Sequence, residues 1–167
     1  MHNTMKRMFE FKAWANDELV SALARLDDGS SITGLAVQAL SHTYVVDGIF
    51  MAHMTRQAHG FKSANMSELP TLDGLSADIR RSDREYIDYV TGLDRSQLEE
   101  KIDFTFTDGS LGRMSREEML LHVITHGIGH RGQVSALMLL NSVTPAKDGF
   151  TAFLHESEPS ARRRAAA

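Results

Sequence analysis

The sequence contains no cysteine among its 167 residues. This absence excludes disulfide bonds, thiolate metal ligands and a cysteine nucleophile, and it fits a reducing compartment. Any thiol chemistry carried out by this chain must therefore use a thiol that is brought in as a cosubstrate.

The chain also lacks a long apolar segment. No stretch reaches the roughly 18 consecutive apolar residues that are typical of a membrane-spanning helix. The N-terminal segment reads Met-His-Asn-Thr-Met-Lys-Arg-Met-Phe-Glu, which has no apolar core of the kind found in signal peptides. We therefore expect a cytoplasmic protein that does not interact with the membrane.

Positive charge is not in excess. The 18 Lys and Arg residues are outnumbered by 22 Asp and Glu, which gives a formal net charge of −4 with eight neutral histidines. A general attraction to nucleic acid is therefore not expected. The 42% hydrophobic and 24% charged residues are typical of a soluble globular protein.

The length fits a single domain, which we place at residues 1–156, with residues 157–167 as a disordered C-terminal tail.

Apolar residues recur at helical spacing in four segments. They predict helices over about residues 4–26, 31–60, 73–93 and 115–141, with a short final helix or turn near residues 150–154. Ser115 and Glu118 form a capping box that opens the fourth helix. Before it, Ile102, Phe104 and other apolar residues alternate with polar ones and lead into a turn at residues 108–109, which predicts a β-hairpin. The predicted fold is an all-α four-helix bundle with a short hairpin before the fourth helix.

Three histidines recur at every fourth position of the predicted fourth helix, at His122, His126 and His130. Side chains four residues apart lie on one face of a helix, so two such imidazoles can turn toward one metal ion. The helical register places His126 and His130 on the main apolar stripe and His122 on its flank. A metal ion would satisfy both inward rings, whereas unpaired buried polar groups are costly. Chance spacing is the alternative, because the chain has 8 histidines.

The second helix supplies a third candidate ligand. His42 lies in the stripe that contains Leu35 and Ile49, and it therefore faces inward. We predict a metal site formed by His42, His126 and His130, with one coordination position left open. His53 lies about 16 Å farther along the same helix and is placed near the bundle end. The remaining histidines are placed at the surface or the termini, namely His2, His59 and His155.

Two other kinds of metal site are excluded. The segment from His126 to His130 lacks the Glu that serves as general base in zinc proteases. The paired Glu-x-x-His motifs of di-iron bundles do not occur. Imidazole ligands suit zinc, nickel, copper or iron, so the ligand type alone does not identify the metal.

Four other polar residues are assigned by their helical direction. Gln133 lies about 20° from the ligand direction, so it can orient a ligand or a substrate. His122 is interpreted as a residue that supports the ligands or lines the pocket. Asp47 and Arg131 point away from the predicted metal, so we expect an inter-helix ion pair or cap for Asp47 and structural contacts for Arg131.

The fourth helix carries a second apolar face on the side opposite His126. Helices that are apolar all round are buried on both sides, and Gly127 and Gly132 permit close backbone approach. We therefore predict a homodimer, or else tight cover by the C-terminal segment. The residues of this face are Leu121, Ile124, Ile128 and Leu139.

Several motifs resemble the DinB/YfiT-like family of metal-binding four-helix bundles. Residues 125–133 read Thr-His-Gly-Ile-Gly-His-Arg-Gly-Gln, which is similar to the family's Asn-His-x-x-His-His-Arg-Gly-Gln motif. The first helix contains Phe-Lys-Ala-Trp-Ala-Asn at residues 11–16, and the second contains Leu-Ser-His at residues 40–42. The sequence departs from the motif at two positions, where Thr125 replaces Asn and Gly129 replaces His.

The resemblance implies a divalent metal, usually nickel or zinc, bound by His42, His126 and His130. It also implies a small-molecule substrate and either a thiol-dependent S-transferase, with a low-molecular-weight thiol as cosubstrate, or a metal-dependent hydrolase. A non-catalytic stress-response protein that binds a metal and a ligand is the alternative. The loss of histidine at Gly129 is expected to alter the pocket more than the metal site.

Overall fold

The computed structural model describes residues 2–26 and 31–162. Within these residues the helices are α1 (His2–Leu23), α2 (Ser31–Thr55), α3 (Leu72–Thr91), α4 (Arg95–Glu99), α5 (Arg116–Leu140), α6 (Phe150–Ser157) and α7 (Pro159–Arg162). Two strands, β1 (Lys101–Thr105) and β2 (Leu111–Ser115), lie between α4 and α5. The predicted break at residues 27–30 lies outside the described residues.

The four long helices form the predicted bundle. Helix α1 packs against α3 and α5, and α2 packs against the same two helices. The two strands pair antiparallel, from Lys101 opposite Ser115 to Thr105 opposite Leu111. Gly109 has φ 86° in the turn that joins them, a conformation that glycine adopts without steric strain. Both the bundle and the hairpin before its fourth helix are therefore confirmed.

The start of α5 follows from its first residues. The Ser115 side chain accepts a hydrogen bond from the Glu118 backbone N–H, and the Glu118 side chain accepts one from the Ser115 backbone N–H. This capping box satisfies two backbone donors that the helix itself leaves unpaired. It fixes the register in which α5 presents its histidines.

The core consists of two large apolar clusters, one toward each end of the bundle, and a small third cluster of Phe11, Ala15 and Phe153 between α1 and α6. One large cluster contains Phe9, Phe50 and Tyr86, and the other contains Leu23 and Leu75, each with further buried residues around them. On the long helices, polar residues lie at the level where the two clusters meet. We call this set the polar layer, and its members are Lys12, Asn16, His42, Asp47, Asp83, His126, His130 and Arg131.

The charged part of the polar layer joins all four long helices. The buried Lys12 Nζ lies 2.8 Å from Asp47 Oδ2 and 2.6 Å from Asp83 Oδ1. Asn16 donates to Asp83 over 2.8 Å and accepts from Arg131 over 3.2 Å. Arg131 also pairs with Asp148 over 3.0 Å. These contacts confirm the expected structural roles of Asp47 and Arg131.

Burial and pairing oppose each other in this group of charges. Burial alone would lower the pKa of Lys12, but the two adjacent carboxylates outweigh it and raise that pKa. Burial raises the pKa of Asp47 to about 6, although the neighbouring Lys12 partly opposes this shift. Lys12 is therefore held charged, and its ammonium compensates both Asp47 and Asp83.

Two predicted features differ from the structure, and one short helix was not predicted. Leu35, predicted to face inward, is 48% exposed, because the buried residues near the start of α2 are instead Ala36 and Val37. Helix α2 ends at Thr55 rather than near residue 60, and Arg56 after it has φ 57°. Helix α4, capped by Asp94, was not predicted, because it is too short to show a helical period.

The C-terminal segment is helical farther than predicted. Residues 157–162, assigned to a disordered tail, contain the end of α6 and the whole of α7. Glu158 between these helices forms ion pairs with Arg7 of α1 and with Arg162, which holds the segment against the bundle. Residues 163–167 lie outside the described residues. Among the described helices, none combines the length and apolar character needed to cross a bilayer.

We expect Lys12→Met to lower the free energy of unfolding by about 3–5 kcal/mol, because it leaves two buried carboxylates without their cation. Arg80→Met is the matched control, because its ion pair with Asp17 is exposed and such pairs contribute less than about 1 kcal/mol. Denaturant unfolding measures both changes. Equal losses in the two variants would contradict the structural role of Lys12.

Candidate metal centre

Helices α2 and α5 bring the three predicted ligands together. The Nε2 atom of His126 lies 3.2 Å from Nε2 of His42 and 3.1 Å from Nε2 of His130. One ring nitrogen from each histidine falls within 4.8 Å of the other two. All three side chains are half-buried. The cluster could therefore hold a metal ion.

Hydrogen bonds on the outer side fix two of the rings. Nδ1 of His42 lies 2.9 Å from the backbone carbonyl oxygen of Ala64, which only accepts, so this nitrogen carries the proton. Nδ1 of His130 lies 2.9 Å from Oε1 of Gln133, and the same reasoning applies with the amide oxygen as acceptor. Both rings therefore direct an Nε2 lone pair toward His126.

The donor set fits a cation. A neutral His126 can offer at most one N–H at Nε2, so it cannot satisfy the lone pairs of both neighbouring rings. A divalent ion at the centre could be coordinated by a nitrogen lone pair from each of the three rings. The hydrogen bonds at Nδ1 of His42 and His130 are of the kind that orients metal-binding imidazoles. Three imidazole nitrogens suit zinc, nickel, copper or iron.

The surroundings also favour the neutral rings that a metal requires. Burial, together with the nearby His130 and His42, lowers the pKa of His126 to about 4. Burial and His42 lower the pKa of His130, while the hydrogen bond with Gln133 acts in the opposite direction. Both rings are thus neutral near pH 7, which is the state that ligates metals.

Glycines on α5 shape the two sides of the site. A Cβ atom at Gly127 would lie 3.3 Å from Nη1 of Arg131 and 3.6 Å from Cε of Lys12, so glycine leaves room for the charged part of the polar layer. A Cβ at Gly129 would meet nothing within 4 Å. The family motif has histidine where this chain has Gly129, and the surroundings of Gly129 leave room for a side chain at that position.

His122 lies beside the cluster rather than within it. Its ring is stacked on His126 with centroids 5.3 Å apart and planes 23° apart, and it packs on Phe50 with centroids at 4.6 Å. Burial lowers the pKa of His122. Its position next to the His126 ring agrees with the flank position given by the helical register.

Sequence reasoning missed two features near the histidines. The carbonyl group of Ala64 has no sequence signal, because every residue has a carbonyl and only the fold of the loop brings this one to His42. His59, predicted at the surface, is half-buried with a buried Nδ1 atom next to His53. His155 is exposed as predicted, and the side chain of His2 lies outside the described residues.

Comparison with known protein families gives a match. A family model described as the DinB family matches residues 1–162 of the chain. Neither the curated proteins nor the solved structures include a significant match.

The lowered pKa of His126 predicts a pH dependence of stability in the metal-free protein. The folded-state pKa of about 4 lies below the value of roughly 6.5 expected in the unfolded chain. The unfolded chain therefore binds more protons in this range, and the free energy of unfolding falls as the pH drops from about 6.5 to about 4.

We expect metal-free wild type to lose on the order of 1–2 kcal/mol more than His126→Gln across this range, after allowing for solvent screening of a half-buried ring. The raised pKa of Asp47 makes stability change with pH in the opposite direction. Because Asp47 is present in both proteins, its contribution cancels when wild type is compared with His126→Gln. Denaturant unfolding at several pH values in the presence of a chelator measures this difference in the free energy of unfolding. Parallel stability curves for the two proteins would contradict the prediction.

Proposed function

The chain belongs to the DinB family, and from this membership and its histidine cluster we propose that it is a divalent-metal-dependent enzyme. The observation that carries the proposal is the convergence of three imidazole nitrogens from α2 and α5 within 4.8 Å. His42, His126 and His130 would be the ligands of nickel or zinc. A three-nitrogen site leaves a coordination position open for a water or a substrate.

The metal, when bound, would lower the pKa of a coordinated water or activate a coordinated thiolate. The residues of the chain supply orientation and exclude water. Ala64 and Gln133 hold two ligand rings by their outer nitrogens. His122 stacks on His126 and packs against Phe50 at a tilt, so these two side chains would cover one side of the site.

The reaction that we propose is thiol-dependent S-transfer, with metal-dependent hydrolysis as the second option within the same site. In S-transfer, the sulfur of a low-molecular-weight thiol forms a bond to an electrophilic carbon, and the thiol proton and any leaving group depart. The chain has no cysteine, so the thiol must enter as a cosubstrate. A hydrolase would use water in its place.

One observation favours the non-catalytic alternative. Among the described residues, the candidate cluster consists of histidines alone, without a carboxylate. A hydrolytic or transfer site commonly uses a general base within hydrogen-bond reach of the nucleophile. A protein that holds a metal and a ligand without turnover is therefore the second candidate function.

Turnover assays separate these functions. If S-transfer is correct, metal-loaded protein should consume an electrophile such as a haloarene or maleimide-type compound only when a small thiol is also present. Chelated protein and the His126→Ala variant serve as controls for the background reaction. Equal consumption without thiol would indicate a hydrolase, and no consumption above background would favour the binding protein.

Metal content tests the ligand set directly. We expect His42→Ala, His126→Ala and His130→Ala each to abolish tight binding, since two imidazoles hold a divalent ion far less well than three. His122→Ala should retain about one ion per chain and change affinity by about 10–100-fold. Elemental analysis after exhaustive dialysis gives the result. Loss of metal in His122→Ala with retention in His42→Ala would show that the assigned ligands are wrong.

We further propose that the protein is a homodimer formed through the outer face of α5. Leu121 and Ile128 on this face are 47% and 40% exposed, and Leu139 is 63% exposed. Arg131 is the one charged residue between positions 119 and 140, and it is buried. An uncharged outer face of this length is unusual for a helix in contact with water.

Two details refine this assembly. Ile124, predicted on the outer face, is buried inside the bundle, because the hairpin and α2 extend the core on that side of α5. The alternative cover is not supplied by α6, whose Phe153 packs on Phe11 and Trp14 of α1. The face around Ile128 therefore remains open within the described residues.

We expect wild type to be dimeric at micromolar concentration and Ile128→Lys to be monomeric, because a charge would be buried at the interface. Leu111→Lys is the matched control, since Leu111 is an 85% exposed leucine on the hairpin and should leave the dimer intact. Light scattering coupled to size exclusion measures the mass. A monomeric wild type would exclude the proposed assembly.

A further inference from the structure

A second pair of histidines lies near the C-terminal end of α2. His53 is in the last turn of α2, and His59 follows in the segment after it. Their ring centroids are 5.3 Å apart, with planes at 78°. The Nε2 atom of His53 and the Nδ1 atom of His59 are both buried and have no hydrogen-bond partner among the described residues. Such atoms are costly to leave unsatisfied.

The spacing of this pair is close to that of the three-histidine cluster. The rings of that cluster have centroids 4.8 Å apart for His42 and His130, and 4.5 Å apart for His126 and His130. Two imidazoles that bind one tetrahedral ion, with bonds of about 2.0–2.1 Å, have centroids about 5 Å apart. The ring separation of His53 and His59 therefore allows both to bind one cation.

The angle between the rings distinguishes this pair from a simple stack. His122 and His126 have the same centroid distance of 5.3 Å, but their planes are only 23° apart, so they lie face to face. The planes of His42 and His126 are 56° apart. The 78° between His53 and His59 is an edge-to-face arrangement of the same kind as in the cluster, where the planes of His42 and His126 are each strongly inclined to that of His130, by 62° and 68°.

Neighbouring side chains do not provide another partner for these nitrogens. Phe104 lies 4.9 Å from the His53 ring, Phe50 lies 6.3 Å from it, and Phe61 lies 6.2 Å from the His59 ring. Burial and the nearby His59 lower the pKa of His53, so the His53 ring stays neutral near pH 7 and the deficit at its buried nitrogen remains. A cation held by both nitrogens would resolve it.

Each histidine also borders solvent, which gives an ion a route to the pair. His53 lines a surface groove together with Arg56, Gln57, Lys101 and Asp103. His59 lines an adjacent groove, which shares Ala52 and Gln57 with the first. Its other residues include Gly48, Phe61, Asp78 and Glu85. The pair therefore lies next to solvent on two sides, while the two nitrogens themselves are buried.

We propose that His53 and His59 form a second cation site, for a divalent d-block ion of the class that imidazole prefers, such as zinc. The site is separate from the three-histidine cluster, since His53 lies about 16 Å from His42 along α2. It supplies two protein ligands instead of three, so it binds more weakly and loses its ion on exhaustive dialysis.

Calorimetric titration of chelator-stripped, tag-free protein with Zn²⁺ tests this site. Wild type should bind two equivalents, the second more weakly than the first. His53→Gln and His59→Gln should each lose the second equivalent and keep the first, which also shows that the variants are folded. His155→Gln, at an exposed histidine, is the matched control and should keep both equivalents.

A single equivalent in wild type, or two equivalents in both His53→Gln and His59→Gln, would overturn the second site. A measurement on the unmutated chain covers the case in which a variant does not fold. In ¹⁵N spectra of the histidine rings, the second equivalent of Zn²⁺ should shift Nε2 of His53 and Nδ1 of His59. Unchanged resonances at both atoms would equally overturn the proposal.

Discussion

The structure depends on one constraint. The polar layer lies buried between the two large apolar clusters of the bundle, so each of its charged groups needs an ion-pair or hydrogen-bond partner. The ammonium of Lys12 lies between the carboxylates of Asp47 and Asp83 and so connects α1, α2 and α3. Arg131 adds α5 through Asn16. Because an unpaired buried charge is far more costly than a paired one, these contacts favour one register of the four helices over its alternatives.

The same constraint positions the candidate site. Gly127 leaves space for the Arg131 and Lys12 side chains, while His126 and His130 on α5 face His42 on α2. A shift in the register of either helix would disturb the ion pairs and the histidine cluster together. Hydrogen bonds that His42 and His130 donate to Ala64 and Gln133 then fix these two rings. Such an arrangement lets a metal bind without a large rearrangement of the protein.

Much of this arrangement could be predicted from the sequence, because it rests on local patterns. The spacing of His126 and His130, the capping box at Ser115 and the turn at Gly109 are each encoded within a few residues. The exposed Leu35 was placed wrongly because α2 is covered on two sides by α3 and α5, so its apolar residues do not define a single inward direction. The contacts of Ala64 and His59 depend on how the segment after α2 folds back, which no periodic pattern records.

The central claim is that His42, His126 and His130 hold one divalent metal ion. Diffraction from crystals of dialysed, zinc-loaded protein, recorded on both sides of the zinc absorption edge, tests it most directly. We expect one strong anomalous peak that lies about 2.0–2.1 Å from the Nε2 atoms of all three residues, with His122 not bonded to it. A peak coordinated by His122 in place of His42, or no peak at the cluster in fully loaded protein, would show that these three residues are not the ligand set.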